Sequence, residues 1–67
     1  MTLGEKIVKC RDFLGISQAE LARRSRVTGA AISQYENNKR LPDIKSFQKI
    51  RLAFGMSHDG FMKDVRL

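Results

Sequence analysis

Side chains able to cap a helix recur along this chain so closely that only short helices fit between them. Thr2 with Glu5, and Ser17 with Glu20, are capping-box spacings: the hydroxyl accepts the backbone amide three residues on, and the glutamate reaches back to the cap's own amide. Thr28 stands ahead of GAAISQYE, Asp43 ahead of IKSFQKI, and Ser57 or His58 opens a last short segment. Gly15 and Gly55 are helix stops, and Pro42 drives Leu41 toward extended backbone. Between these marks the inward positions recur at three and four residues: Ile7, Cys10, Arg11 and Leu14; Leu21 and Ala22; Ile32 and Tyr35; Ile44, Phe47, Ile50 and Phe54; Phe61 and Met62. No stretch alternates with period two, so no strand is expected. The spacing predicts an all-α, compact five-helix fold. Helix 1 runs from about Leu3 to Leu14, helix 2 ends near Ser25, and helix 3 covers about Gly29 to Glu36. Helix 4 follows Asp43 and stops at Gly55, helix 5 is short, and Asp64 to Leu67 form a loosely held tail.

A chain of 67 residues holds one domain, expected over residues 1–67. Thirteen Lys and Arg against seven Asp and Glu leave +6, which favours a polyanionic partner or simply keeps a small domain soluble. The excess is densest from Ser17 to Leu41, where five basic residues face two acidic ones. Cys10 has no second cysteine to pair with, and His58 is the single histidine, so neither a disulfide nor a Cys-His metal site is expected. Lys6 and Lys9 interrupt the apolar residues of the amino-terminal stretch, and no run approaches the length of a membrane span. No glycine-rich phosphate loop and no carboxylate pair beside a nucleophile can be found. A cytoplasmic protein, without cofactor, metal or small-molecule ligand and not an enzyme, is the expectation.

The segment QAELARRSRVTGAAISQY, Gln18 to Tyr35, joins two of these helices by a very short connection and reads as a helix-turn-helix. Two short helices held at a steep angle leave the second protruding, so its first turn can enter the major groove of duplex DNA. LGEKI, Arg11, SQAELA, VTGAAIS, YENNKRLPDI and KIRLAFGMS follow one another in the order of the lambda-repressor-like (Cro/C1-type, XRE-like) helix-turn-helix family, which the chain resembles from about residue 3 to 62. The resemblance implies a five-helix domain that binds operator DNA, usually as a dimer.

On residue chemistry, Gln34 lies one turn past Ala30 on the outward side of helix 3, and its amide suits the donor-acceptor edge of adenine. Ser33 beside it can reach a base edge or a phosphate. Gly29, Ala30 and Ala31 leave a bare tip offering thymine methyl contact and close backbone approach, with Ala31 assigned to packing. DNA shape is therefore expected to carry a larger share of specificity than direct readout. Gln18, at a helix start, can hold a phosphate together with the backbone amides there. In the resembling family this glutamine also braces the recognition helix. Thr28 is a cap and tip residue, and Asn38, Lys39 and Arg40 follow the recognition helix as a phosphate clamp. Arg26 stands where the family has a left-handed glycine, at a cost of roughly 1 kcal/mol. Arg11 and Glu36 match a pair that the family uses as an internal salt bridge. Cys10, Tyr35 and Met56 are assigned to the core.

A transcriptional regulator follows, a phage or prophage Cro/C1-type repressor on a palindromic operator, dimeric because one small helix reads few base pairs and two read half-sites about 34 Å apart. Leu52, Phe61, Val65 and Leu67 are the candidate dimer contacts, with core burial or a frayed tail as the competing assignment for each. An antitoxin-type protein-binding module and a restriction-system controller are the alternatives.

Overall fold

The computed structural model describes residues 1–66, so Leu67, one of the interface candidates, lies outside the described residues. Five helices follow in order: α1 Leu3–Leu14, α2 Gln18–Ser25, α3 Gly29–Glu36, α4 Ile44–Ala53 and α5 His58–Met62. Each begins at an extended cap whose side chain accepts a backbone amide three residues on: Thr2, Ser17, Thr28, Asp43 and Ser57. At Thr2 the box is complete, with Glu5 returning to the Thr2 amide at 2.8 Å. These amides hold the Glu5 and Asp43 carboxyls below the usual carboxylate range.

The ends of the first four helices share one device. Gly15, Arg26, Asn38 and Gly55 all have left-handed backbone, with φ between 57° and 70°. Around each, the following amide donates back five residues: Ile16 to Arg11, Val27 to Ala22, Lys39 to Gln34 and Met56 to Arg51. This closure satisfies carbonyls the helix would otherwise leave bare. Glycine fills it twice without steric penalty and asparagine is the next most tolerant choice; arginine is the costly one.

The core is Leu3, Ile7, Leu21, Val27, Ile32, Tyr35, Ile50 and Phe61. Helix α3 packs against both α1 and α2, and α2 in turn against α4. Phe61 sits at the centre of an aromatic group, its ring 5.3 Å from Phe47 and 5.8 Å from Phe54. Full burial leaves it no surface for a dimer contact, so its competing assignment, the core, holds. Buried Ser25 is satisfied by donating its hydroxyl to the Leu21 carbonyl at 2.7 Å.

Three expectations change. Ile44, placed on the inward face of helix 4 by its period, is 82% exposed, because it opens the helix ahead of anything that packs on it. Leu14 is likewise mostly outside the core at the end of α1. The tail is pinned as far as Arg66: the amino-terminal ammonium donates to the Asp64 carbonyl, the Arg66 amide to the Met1 carbonyl, and Lys6 Nζ to the Lys63 carbonyl, all within 3.0 Å. Val65 is half-buried against the core as a result.

Candidate nucleic-acid interface

Helix α3 is anchored from behind and along one flank. Ile32 and Tyr35 carry its buried face. At its end Glu36, nearly buried, accepts from Arg11 Nε at 2.7 Å, Arg11 Nη2 at 3.0 Å and Gln18 Nε2 at 2.9 Å. Arg11 also donates to the Ile16 carbonyl at 3.0 Å. One carboxylate therefore ties the end of α1, the start of α2 and the end of α3, and its hydrogen bonds push the arginine pKa further up.

A contact that composition does not reveal lies beside it. The Gly4 amide donates to Asn38 Oδ1 at 3.3 Å, and Gly4 approaches α3 so closely that a Cβ there would stand 2.5 Å from the Tyr35 carbonyl oxygen and 2.7 Å from that of Glu36. The first turn of α1 is thus pressed onto the last turn of α3. The only sequence trace of this is a glycine in the first turn of a helix, where alanine would ordinarily be better.

The opposite edge of α3 is bare. Thr28, Gly29, Ala30 and Gln34 are exposed, and Ser33 is half-buried. Nothing lies within 4 Å of the space a Gly29 side chain would fill. Thr28 Oγ1 accepts the Ala31 amide at 3.1 Å, which leaves the other first-turn amides of α3 pointing outward. Ser33 receives Asn37: the amide Nδ2 donates to the Ser33 carbonyl at 2.9 Å and lies 3.4 Å from its hydroxyl.

Past the helix, Lys39 and Arg40 are exposed and, among the described residues, belong to no ion pair. The arginines of α2 are different. Arg23 and Arg24 both bridge Glu20, whose carboxyl is held down at about 2 by the two guanidinium groups. Arg40 is ordered without a carboxylate: its guanidinium lies 5.4 Å from the Tyr35 ring centroid, donates to the Tyr35 hydroxyl at 3.2 Å, and donates to Gln34 Oε1 at 3.2 Å. Asn38 presents only its amide nitrogen outward, since its oxygen serves Gly4. Gln18 likewise turns its amide to Glu36.

Of the interface candidates, Leu52 is 64% exposed and Val65 half-buried. Phe13, at 89% exposure, and Leu41, at 63%, are apolar surface that the periodicity did not single out. Cys10 lies within the protein with its Sγ 3.7 Å from Met56 Sδ, and burial pushes its thiol pKa up, away from reactivity. Among the described residues no helix is long and apolar enough to cross a membrane.

Two short helices crossing over a three-residue connection, with the second offering a bare edge and unpaired positive charge beyond it, define a helix-turn-helix unit. The helix-turn-helix family model matches residues 7–61, and the chain belongs to that family. It is similar to the SPbeta prophage-derived HTH-type transcriptional regulator YonR of Bacillus subtilis (strain 168), 35% identical over 60 residues that make up 90% of this chain and 56% of that protein. The chain thus spans just over half the length of that relative. It is also similar in structure to a point mutant of the restriction-modification controller protein C.Esp1396I, with a TM-score of 0.84 and 32% identity over 92% of this chain and 80% of that one.

Proposed function

We propose that this chain is a sequence-specific regulator of transcription that binds double-stranded operator DNA as a homodimer, in the manner of a phage or prophage Cro/C1-type repressor. The observation that carries this is the unobstructed leading edge of α3, from Thr28 through Gly29 and Ala30 to Gln34, on a helix whose other faces are all engaged. Gln34, Ser33, Ala30 and Gly29 face base edges. Thr28, Lys39 and Arg40, with the outward amide of Asn38 and the helix start at Gln18, face phosphates. The work is binding, with no catalytic step. The prophage origin of the similar regulator supports a repressor of this type.

The likeness to a controller protein supports a second reading, in which the chain adjusts expression of a restriction system. In the resembling family, members that activate through polymerase commonly carry acidic residues on the exposed part of helix 2, whereas here Arg23 is basic and Glu20 is bridged by Arg23 and Arg24. Repression is therefore preferred. Selection of bound duplexes from a random pool tests both: a palindrome with half-sites about 34 Å apart is expected. Affinity should fall steeply with salt, and Lys39→Ala should weaken every sequence alike while reducing the log-log salt slope by about 1. Equal affinity for selected and random duplexes would end the proposal.

A further inference from the structure

We infer that Arg40 turns Gln34 into a donor-only reader, so that the base it specifies is guanine rather than adenine; this rests on the DNA-binding reading above. A free glutamine amide offers an acceptor oxygen with two lone pairs and two N–H donors, and pairs with adenine by turning both groups to the base, accepting from N6 while donating to N7. Here Oε1 accepts an Arg40 N–H at 3.2 Å, which turns it away from the outward edge. The arginine is itself held on the buried Tyr35 ring and by the Tyr35 hydroxyl, so the oxygen is drawn toward the loop and the NH2 group faces outward. With the oxygen drawn aside, the outward group is a pair of N–H donors, which matches an edge that is all acceptor. Guanine presents N7 and O6 side by side, while adenine would set its N6 donor against the amide's own hydrogens. Arg40 makes two of these N–H contacts and has three N–H groups left for a phosphate, so fixing Gln34 and holding the backbone are compatible tasks. Tyr35 acts as a positioning residue, through Arg40.

Selection from a random duplex pool with four proteins tests this. Gln34→Ala identifies the position, as the one whose preference disappears. The wild-type chain should show guanine there, favoured over adenine roughly tenfold or more. Arg40→Ala frees Oε1, and the same position should turn to adenine; a general loss of affinity would leave the base unchanged. Tyr35→Phe, with its fold checked by thermal melting, removes the hydroxyl but keeps the ring and should give a mixed preference. Adenine in the wild type, or guanine retained in Arg40→Ala, overturns the inference while leaving the DNA-binding reading intact. No enriched sequence in any arm, with binding indifferent to salt, removes that reading and this inference together.

Discussion

Replacing Gly4 by alanine tests the close approach of α1 to α3. An added methyl would meet the Tyr35 and Glu36 carbonyl oxygens at 2.5 and 2.7 Å and Asn38 Oδ1 at 2.7 Å. Two of the three are backbone atoms in the closing turn of α3, so relief requires α1 to withdraw by several tenths of an ångström. Crowding of this kind costs about 1–3 kcal/mol. Withdrawal also stretches the Gly4 to Asn38 bond, already 3.3 Å long, losing about 1 kcal/mol. Against this, alanine in a helix gains at most about 1 kcal/mol over glycine. The net loss is about 2 kcal/mol, from a total that for a chain this size is roughly 3–10 kcal/mol. At about 4–8 °C per kcal/mol the Tm should fall by roughly 8–16 °C. Thermal melts followed by circular dichroism measure it, with Gly29→Ala as the internal control. Gly29 is helical with nothing nearby, so the same change there should stabilise by about 0.4–1 kcal/mol. If Gly4→Ala melts within 2 °C or so of the parent, a shift of well under 1 kcal/mol, the close approach of α1 to α3 is wrong.

Arg26→Gly should stabilise by up to about 1 kcal/mol in urea denaturation, since relief of about 1–2 kcal/mol at φ 58° exceeds the added freedom of the unfolded chain; a destabilised variant would contradict the strain. Glu36→Ala should cost about 3 kcal/mol, because Arg11 and the Gln18 amide lose their acceptor together, whereas the double variant Arg11→Met with Glu36→Leu should recover part of that loss. A double variant no better than the single one would count against a desolvated arginine as the cause. Glu20 has a folded-state pKa near 2 against an ordinary 4.5, so its contribution is present above about 4.5 and disappears as pH falls through 2. Glu20→Gln should therefore melt below the parent at pH 6 and together with it near pH 2, and a gap unchanged between those two pH values would refute the ion-pair account.

The helices were legible because their limits are local. A cap and the amide it receives lie three residues apart, and a glycine stop acts on the turn just before it, so Thr2, Ser17, Asp43, Gly15 and Gly55 declare themselves in any window of sequence. What escaped was whatever depends on distant chain. Gly4 meets residues more than 30 positions away, the Arg66 amide is held at Met1, and the burial of Phe61 depends on Phe47 and Phe54 closing over it. Ile44 shows the opposite error, in which a correct helical period overstates burial at a helix's first residue, before any partner reaches it.

The site divides along the same line, for a physical reason. Folding stability is written on the hidden face of α3 and at its end, where Ile32, Tyr35 and Glu36 must match α1 and α2, and substitutions there change the energy of the whole chain. Among the described residues nothing lies within 4 Å of the space a Gly29 side chain would fill, and Ala30 is exposed, so packing does not dictate what stands there. Residues at such an edge are free to answer to a ligand, and for that reason their pattern carries little that a period or a cap can reveal. Asn38 and Arg40 blur the division: each has an exposed position and an internal partner, Gly4 for one and Tyr35 for the other. Through Arg40, the ring that packs one side of α3 also draws Oε1 of Gln34 toward the loop, so the atoms offered at the proposed reading edge are set from the packed side.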